Sequence, residues 1–373
     1  MSPELLAALD AHIIPVASHH AVHTDRAAAF PEATLQALRE ADLLGLLTPI
    51  AHGGQGRTVA EAATVVERLA RVCGSSAMVV CMHYCGAAVI AAHGSPELNR
   101  AVAEGRVLAT LAFSEVGSRS HFWAPVSTAT RVANGIRLDA QKSWVTSAGQ
   151  AQAIVWSSKP VAAEGPSTLW WVPGDSPGLS RPATFDGLGL RGNDSSPMRA
   201  EGVVISEANR LGPDGGGFDI MMGTVLPVFN ILNAACSVGL MEGALAGAAA
   251  HVSGTRYAHL GSSLAELPTI RAYLAKARIQ ADMAACIWRD TIAAVTTGRA
   301  DAMLRVLQVK AAAGEAALEV TATTMRVCGG AAFRKELGVE RAFRDAQAAG
   351  VMGPTSDVLY DFIGKAVCGL PLF

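Results

Sequence analysis

Apolar residues in the N-terminal part of the chain recur at the spacing of amphipathic helices. Leu35 and Leu38 fall on one side of a first predicted helix, and the same pattern returns over residues 58–72. The glycines of residues 52–56 supply the positive φ angles of a turn and separate the two helices. The pattern predicts an N-terminal helical domain over residues 1–108.

The middle of the chain changes to short runs of β-branched and aromatic residues. These runs lie at residues 153–157, 168–172 and 202–206, and Pro, Gly, Ser and Asp separate them. Such punctuation is typical of short antiparallel strands. We therefore predict a middle β-domain over residues 109–214, folded as a small antiparallel sheet or barrel.

Long alanine-rich stretches with few prolines make up the rest of the chain. Residues 233–251, 263–297 and 301–328 are each long enough for a bundle helix. They predict a C-terminal helical bundle over residues 215–373. The expected fold class is mainly α with a central β-domain.

Composition narrows the class of protein. Of 373 residues, 50% are hydrophobic and 17% charged, and the formal net charge is −2. This balance excludes a disordered chain and argues against a nucleic-acid partner, because phosphate binding needs a clustered basic face. The low proportion of charged residues predicts that additional surface is buried between subunits of an oligomer. Cysteines without a C-x-x-C pair indicate reduced thiols and a cytoplasmic location. We expect no membrane span, since charges such as Arg289 interrupt the apolar stretches.

Two short motifs suggest chemistry that their context does not support. Residues 187–192 spell G-x-G-x-x-G, but a dinucleotide site needs a helix directly afterwards and a strand-like run follows, so we predict a loop. Cys81 and Cys85 share a helix face, yet two thiols without a second cluster do not form a closed zinc site. We expect no metal. His83 between them is either a hydrogen-bonded core residue or a catalytic one.

Residues 111–120 and 141–147 carry the more informative chemistry. Each segment places hydroxyls and backbone donors on a strand edge, and the second adds Trp144 two residues before Thr146. A flavin needs such surroundings, because its ring packs on an apolar wall and its polar edge takes hydrogen bonds that tune its electronics. Together the segments indicate a flavin site.

These segments and others resemble the acyl-CoA dehydrogenase family, in the same order along the chain. The motifs that carry the resemblance are P-x-x-x-G-G-x-G at 49–56, A-F-S-E at 112–115 with G-S-R-S at 117–120, Q-K-S-W-V-T at 141–146, C-G-G at 328–330, R-D-A at 344–346, and Thr355. The resemblance implies an N-terminal helical domain, a middle antiparallel β-barrel and a C-terminal four-helix bundle. It also implies FAD as cofactor, with FMN as the alternative.

The resemblance also assigns residues to the cofactor and to the substrate. On the flavin side it implies Leu111, Phe113, Ser114, Ser120, Trp144 and Thr146. From a neighbouring subunit of a homodimer or homotetramer, Arg326, Gly329 and Gly330 would touch the adenosine half, with Thr355 and Asp357 closing on it. The substrate pocket is expected to contain Met82, Tyr84, Phe122, Phe229, Met352 and Gly353.

The catalytic base is the largest departure from the family pattern. A family dehydrogenase removes the α-proton of an acyl-CoA with a glutamate while hydride leaves the β-carbon. Gly353 stands at the usual position of that glutamate, and the alternative family position falls near Phe229 and Asn230. Neither position carries a carboxylate.

Two enzyme hypotheses follow, and a third class of protein stays open. The favoured one resembles the family's flavin monooxygenases: reduced flavin and O₂ oxygenate an apolar or aromatic substrate, free or CoA-linked, with His83 and Ser120 as catalytic residues and a flavin reductase as partner. The alternative is an acyl-CoA dehydrogenase with a relocated base, either Glu115, Asp357 or His83, and an electron-transfer flavoprotein as acceptor. The third is a subunit that binds flavin or acyl-CoA without turnover.

Overall fold

The computed structural model describes residues 3–118 and 121–372. Its N-terminal part is helical. The helices are α1 (Pro3–Ala8), α2 (Ile14–Arg26), α3 (Glu32–Glu40), α4 (Val59–Ala70), α5 (Gly74–His93) and α6 (Pro96–Ala103).

Local sequence explains where α4 begins. The Thr58 hydroxyl accepts a hydrogen bond from the backbone of Ala60 at 3.3 Å, and the Glu61 carboxylate accepts one from the backbone of Thr58 at 3.0 Å. This reciprocal arrangement satisfies donors that the first helical turn leaves free. The helix that the apolar pattern predicts therefore starts where its capping residues stand.

The middle part consists of strands. They are β1 (Ala109–Ala112), β2 (Thr128–Val132), β3 (Gly135–Val145), β4 (Ala153–Ser158), β5 (Thr168–Pro173), β6 (Leu179–Ser180), β7 (Ser196–Ile205) and β8 (Arg210–Leu211). One sheet has the order β1-β4-β5-β8 and the other β2-β3-β7-β6. Trp156 and Trp170 from the first sheet and Ile136 and Val203 from the second belong to one buried cluster. The two sheets therefore share a core.

The sheets correct the prediction of an antiparallel barrel. Among the described residues the strand ladders form two separate sheets rather than one closed ring. β1 and β4 run parallel, with Ala109 beside Ala153 and Ala112 beside Trp156. Parallel neighbours need a long connection, and residues 113–152 provide one that contains β2 and β3. The remaining ladders are antiparallel, as predicted.

The C-terminal part is again helical, with α8 at its centre. The helices are α7 (Gly217–Ile220), α8 (Leu226–Gly254), α9 (Pro268–Thr296), α10 (Ala302–Cys328), α11 (Val339–Ala346), α12 (Ala348–Val351) and α13 (Ser356–Val367). α8 packs against α9 and α10 of its own part and against α4 and α5 of the N-terminal part. A Cβ at Gly239 or Gly243 would lie 2.2 Å from a backbone oxygen of Glu67 or Arg71. Glycine therefore allows α8 to approach the N-terminal helices closely.

Core burial explains two of three apolar helical stretches that the sequence interpretation underestimated. The helices Pro3–Arg26, Gly74–His93 and Gly217–Gly254 are long and apolar enough to cross a membrane by length and composition. The expectation that no segment meets this criterion is therefore wrong. In the second and third of these helices, 83% of the apolar window is buried inside the protein. Their apolar character serves packing within the protein.

The glycine motif at residues 187–192 forms a loop, as predicted, and this loop joins the three parts of the chain. A Cβ at Gly189 would lie 2.3 Å from the carbonyl oxygen of Arg344. The Arg344 guanidinium donates to Leu188 O at 3.0 Å and to both oxygens of Asp25 at 2.9 and 2.7 Å. Asp345 accepts from the backbone of Leu190 at 2.6 Å. The glycine pattern thus reflects close packing.

Replacing Gly189 by Ala tests this close approach. The added methyl group overlaps backbone that cannot rotate away, so we expect Gly189→Ala to lower the free energy of unfolding by about 1–3 kcal/mol. Gly364→Ala is the matched control, because that glycine lies in α13 with open space around it. The control is expected to be neutral or stabilising by up to about 1 kcal/mol. Equal urea midpoints for the two variants would contradict the packing role.

Candidate functional site

A cavity of about 880 Å³ lies where the three parts of the chain meet. Met82 of α5, Phe113 after β1, Trp144 of β3 and Phe229 of α8 are among the residues that line it. Of the residues predicted for the cofactor and the substrate, those at this cavity are Met82, Leu111, Phe113, Ser114, Phe122, Trp144, Thr146, Phe229, Met352 and Gly353. The structure therefore brings most of the predicted flavin and substrate residues together, while their individual roles stay predictions.

The two segments that indicate a flavin site are neighbours in the structure. Glu115 pairs with Lys142 in an isolated antiparallel bridge, and the backbone of Ser143 donates to Ser114 O at 2.8 Å. Ser114, Glu115, Ser143 and Trp144 all line the cavity. Backbone pairing between the two segments thus builds one wall of the cavity.

A buried ion pair between Glu115 and Lys142 holds this wall in register. The Lys142 ammonium donates to the Glu115 carboxylate, and to the backbone oxygen and hydroxyl of Ser157 at 2.7 and 2.9 Å. Glu115 also accepts from the backbones of Val126 and Ser127 at 2.6 and 3.0 Å and from the Ser127 hydroxyl at 2.5 Å. Both side chains are almost fully buried. Every donor of the ammonium is satisfied.

The surroundings keep both groups of this pair charged at neutral pH. Burial raises the pKa of Glu115, but Lys142 and the hydrogen bonds from Ser127 and Val126 outweigh burial and hold that pKa below its ordinary value. Burial lowers the pKa of Lys142 to about 8, against the opposing attraction of Glu115. A carboxylate whose pKa is held low is a weak base.

Trp144 reaches the cavity because β3 is irregular at that point. The register between β3 and β7 shifts between Lys142 and Val145, and Trp144 adopts a φ of 55°. A bulge of this kind redirects a side chain, and a left-handed conformation costs a bulky residue about 1–2 kcal/mol. The indole is 71% exposed although it lies on the cavity wall. Strain and exposure together agree with the prediction that Trp144 belongs to a functional site.

Hydroxyl groups provide the polar part of the same wall. The hydroxyls of Thr146 and Ser195 lie 3.0 Å apart, and the Thr110 hydroxyl donates to Thr146 O at 2.7 Å. Asn193 also lines the cavity and accepts from the backbone of Ser195 at 3.1 Å through its side chain. An exposed indole beside hydroxyl and amide groups fits the ring and polar edge of a flavin. When bound, the flavin supplies two-electron redox chemistry here.

Aromatic and methionine side chains form the apolar part of the cavity lining. The rings of Phe113 and Phe122 are stacked, with centroids 6.4 Å apart and an interplanar angle of 12°. Met82, Phe229 and Met352 complete this apolar surface. Such a lining suits an uncharged apolar or aromatic group.

His83 and Tyr84, predicted for catalysis and for the substrate pocket, lie in the protein core. The buried His83 ring donates from Nε2 to Leu44 O at 2.8 Å and accepts from the backbone of Ala109 at Nδ1, 3.0 Å away. Burial lowers its pKa to about 4. The Tyr84 hydroxyl donates to Leu43 O at 2.8 Å. Neither residue lines the cavity. Both attach α5 to neighbouring backbone, which does not support a catalytic His83 or a substrate-contacting Tyr84.

Of the remaining predicted site residues, those that the structure describes do not line the cavity. Ser120 is outside the described residues, so its two predicted roles stay predictions. The Arg326 guanidinium stacks on the Tyr273 ring at 4.5 Å, and the Thr355 hydroxyl caps α13. Asp357 lines a separate recess of about 500 Å³ with His121 and Trp123. The predicted contacts of Arg326, Gly329, Gly330, Thr355 and Asp357 with a cofactor across a subunit interface also stay predictions.

The sequence interpretation missed several residues of the cavity wall. They come from residues 185–195, around the glycine loop, and from residues 344–351, before α13, and they are Phe185, Leu188, Asn193, Ser195, Arg344, Gln347 and Val351. The spacing of the glycines at 187, 189 and 192 was the available signal. Glycines at such spacing mark backbone that approaches another part of the chain closely.

The fold and the cavity define a flavoprotein oxidoreductase. Three family models match consecutive parts of the chain: the acyl-CoA dehydrogenase N-terminal domain at residues 6–105, the middle domain at 110–203 and the C-terminal domain at 215–368. The chain belongs to the acyl-CoA dehydrogenase family. Members of this family are FAD-binding flavoproteins, which confirms FAD as the predicted cofactor.

Curated relatives and solved structures agree with this family. The cyclohex-1-ene-1-carbonyl-CoA dehydrogenase of Geobacter metallireducens is 28% identical over 93% of this chain and 92% of its own length. The 3-sulfinopropanoyl-CoA desulfinase of Paraburkholderia xenovorans is 26% identical over 95% and 92%. The structure of a glutaryl-coenzyme A dehydrogenase with glutaryl-CoA has a TM-score of 0.91 at 22% identity, covering 100% of this chain and 97% of that one. The last similarity concerns the fold.

The buried ion pair generates a prediction about stability. Removing one partner leaves the other as an uncompensated buried charge, so Glu115→Gln and Lys142→Met are each expected to lower the free energy of unfolding by about 3–5 kcal/mol. The double variant should lose less than the sum of the two. Glu207→Gln breaks an exposed pair with Arg131 and is the control, with an expected loss of at most about 1 kcal/mol. Additive losses in urea unfolding would exclude coupling between the two buried groups.

The same pair predicts how stability depends on pH. The pKa of Glu115 is lower in the folded than in the unfolded chain, so its contribution is fully present above the unfolded pKa and is lost as pH falls through the folded one. Glu115→Gln should therefore flatten the decline of unfolding free energy on the acid side. An unchanged acid limb would contradict this assignment.

The exposed indole generates a prediction about cofactor binding. Trp144→Ala removes a stacking surface, and we expect the Kd for FAD to rise roughly twofold to tenfold, the equivalent of one aromatic contact. Trp144→Phe keeps an aromatic face and is expected to retain more of the affinity. Flavin fluorescence during titration of apoprotein measures both. Equal Kd values for the native protein and the Ala variant would remove Trp144 from the flavin site.

Proposed function

We propose that this flavoprotein uses reduced flavin and O₂ to oxygenate an apolar or aromatic substrate, free or CoA-linked. The proposal rests on one observation: which ionisable side chains line the cavity, and how each is paired. Among the described residues that line it, the ionisable side chains are Glu115 and Arg344, and each is held in an ion pair. Gly353, at the position of the family's usual base, is also part of the wall.

The three residues considered for a relocated base are all poor candidates. Glu115 accepts hydrogen bonds from Lys142, Ser127 and Val126, and its pKa is held low. His83 has both ring nitrogens bound to backbone groups. Asp357 lines a different recess. Removal of an α-proton needs a carboxylate or an equivalent base within reach of the substrate. This supports a reaction that does not begin with proton abstraction.

The chain's own groups suit oxygen chemistry through exclusion of water and orientation. The stacked Phe113 and Phe122 and the side chains of Met82 and Phe229 surround the substrate space with apolar surface. The hydroxyl groups of Thr146 and Ser195 provide hydrogen-bonding partners for the polar edge of the flavin. In the overall reaction one oxygen atom enters the substrate, the other leaves as water, and reduced flavin supplies two electrons. A flavin reductase is the partner that would restore the reduced flavin.

A dehydrogenase acting on a CoA thioester is the second candidate. The similarity over nearly the whole chain to a cyclohex-1-ene-1-carbonyl-CoA dehydrogenase favours it. An electron-transfer flavoprotein would then accept the electrons. The similarity to a desulfinase of equal coverage indicates that the family is not confined to dehydrogenases.

An anaerobic titration of the FAD-loaded protein with aliphatic and aromatic acyl-CoAs separates these candidates. We expect no bleaching of the flavin absorbance by any thioester, although dithionite bleaches it fully. Reduced protein mixed with O₂ should then return to the oxidised spectrum with incorporation of labelled oxygen into the substrate. Bleaching of the native protein by a thioester would establish the dehydrogenase instead. Flavin without either reaction would favour a binding subunit.

Gly353→Glu sharpens this test, with Gly353→Gln as the control of equal size. If the cavity accepts acyl-CoA and lacks only the base, the Glu variant should reduce its flavin roughly 10²–10⁴-fold faster than the Gln variant, the usual contribution of a general base. Equal rates would indicate a substrate that is not an acyl-CoA.

A further inference from the structure

Lys310 is a buried cation outside the catalytic groups considered above. It lies on α10, and its side chain is 1% exposed. Its ammonium donates to the backbone oxygens of Ala349, Met352 and Pro354 at 2.8, 3.0 and 2.9 Å. An ammonium has three donors, so all of them are used. The three acceptors belong to one short stretch, residues 348–354, which we name the floor segment.

Lys310 donates to carbonyl oxygens at and just beyond the end of α12, where the helix supplies no further donors. α12 ends at Val351, and the last carbonyl groups of a helix have no intrahelical donor. A buried carbonyl oxygen without a donor is unfavourable. Lys310 satisfies one such oxygen, that of Ala349, and also binds the oxygens of Met352 and Pro354 beyond the helix. A shift of the floor segment therefore breaks at least one of these hydrogen bonds.

The floor segment forms part of the cavity wall. Ala348, Val351, Met352 and Gly353 all line the cavity. The Met352 sulfur accepts a weak hydrogen bond from the side-chain amide of Asn233 on α8 at 3.7 Å. Met352 is thus held through its backbone by Lys310 and through its side chain by Asn233.

The electrostatic setting argues against a purely stabilising role for Lys310. Among the described residues it forms no ion pair, and Glu315, five positions further along α10, acts on it only at longer range. Burial lowers its pKa to about 7. A buried cation without a counter-ion is an unfavourable way to stabilise a fold. The geometry of its three hydrogen bonds is better suited to fixing the backbone at the cavity.

We propose that Lys310 is a positioning residue of the substrate cavity. Its ammonium fixes the floor segment so that Met352 and Gly353 present an apolar wall without a base to the substrate. Lys310 acts through carbonyl oxygens and does not touch the substrate. The proposal shares with the proposed function only the use of this cavity as the substrate site.

The test compares the FAD-loaded native protein with Lys310→Met. Hydrogen–deuterium exchange of the peptide covering the floor segment should rise by roughly tenfold, as expected for the loss of one or two hydrogen bonds. The Kd of Nile red, a neutral aromatic dye that reports apolar cavities, should rise by at least about fivefold for the same reason. FAD content and exchange elsewhere should not change. Lys276→Met, at an exposed position on α9, is the matched control and should resemble the native protein.

Two further variants keep the test decisive. Lys310→Gln retains two donors and should fall between native protein and Lys310→Met, so it carries the test if the Met variant does not fold. Asn233→Leu releases only the Met352 side chain, and it should weaken Nile red binding without faster exchange in the floor segment.

Each contrary result overturns the proposal at a different step. Unchanged exchange in the Lys310 variants would mean that the ammonium does not hold the floor segment. Faster exchange with unchanged Nile red affinity would leave Lys310 a purely structural role. Failure of the native protein to bind Nile red would remove the cavity as an apolar binding site. No measurement involves O₂ or a thioester, so a failure of the proposed reaction is distinguishable from a failure here.

Discussion

The buried pair of Glu115 and Lys142 is the interaction on which the candidate site depends. It joins the loop after β1 to β3, which belongs to the other sheet. The neighbouring residues Ser114 and Trp144 therefore reach the cavity in a fixed relation to one another. A charged pair in the interior needs every donor and acceptor satisfied, and Ser127 and Ser157 complete that requirement. The site is consequently built around a rigid polar cluster.

Local sequence signals were sufficient to predict the helices and strands. The site was harder to predict, because it depends on contacts between residues that are far apart in the sequence. Periodicity and caps are local, so α4, α10 and β4 lie close to their predicted positions. The partner of a buried side chain is not a local property. Nothing near His83 in the sequence indicates that its ring meets the backbone of Leu44, 39 positions away. The parallel pairing of β1 and β4 was not predicted for the same reason, since it depends on a long connection that contains two other strands. Lys310 looked like an ordinary helix residue because its acceptors lie about forty positions later.

The cavity combines a wall suited to a flavin with ionisable side chains that are already held in ion pairs. In this family the fold is shared by relatives whose names include both a dehydrogenase and a desulfinase. The fold therefore does not determine the reaction, and the side chains at the cavity must do so. The charges of Glu115 and Arg344 are both used in ion pairs that join parts of the fold. What remains for a substrate is aromatic surface, methionine and a few hydroxyl groups.

The ion pair between Asp25 and Arg344 has a consequence for how the protein is made. Its partners are separated by 319 positions, and Arg191 also reaches the Asp25 backbone across 166 positions. During synthesis at 5–20 residues per second, α2 therefore waits roughly 15–60 s for Arg344 to leave the ribosome. Through that interval the Asp25 carboxylate lacks its ion-pair partner. The packing of the N-terminal helices is therefore completed only after α11 has been synthesised.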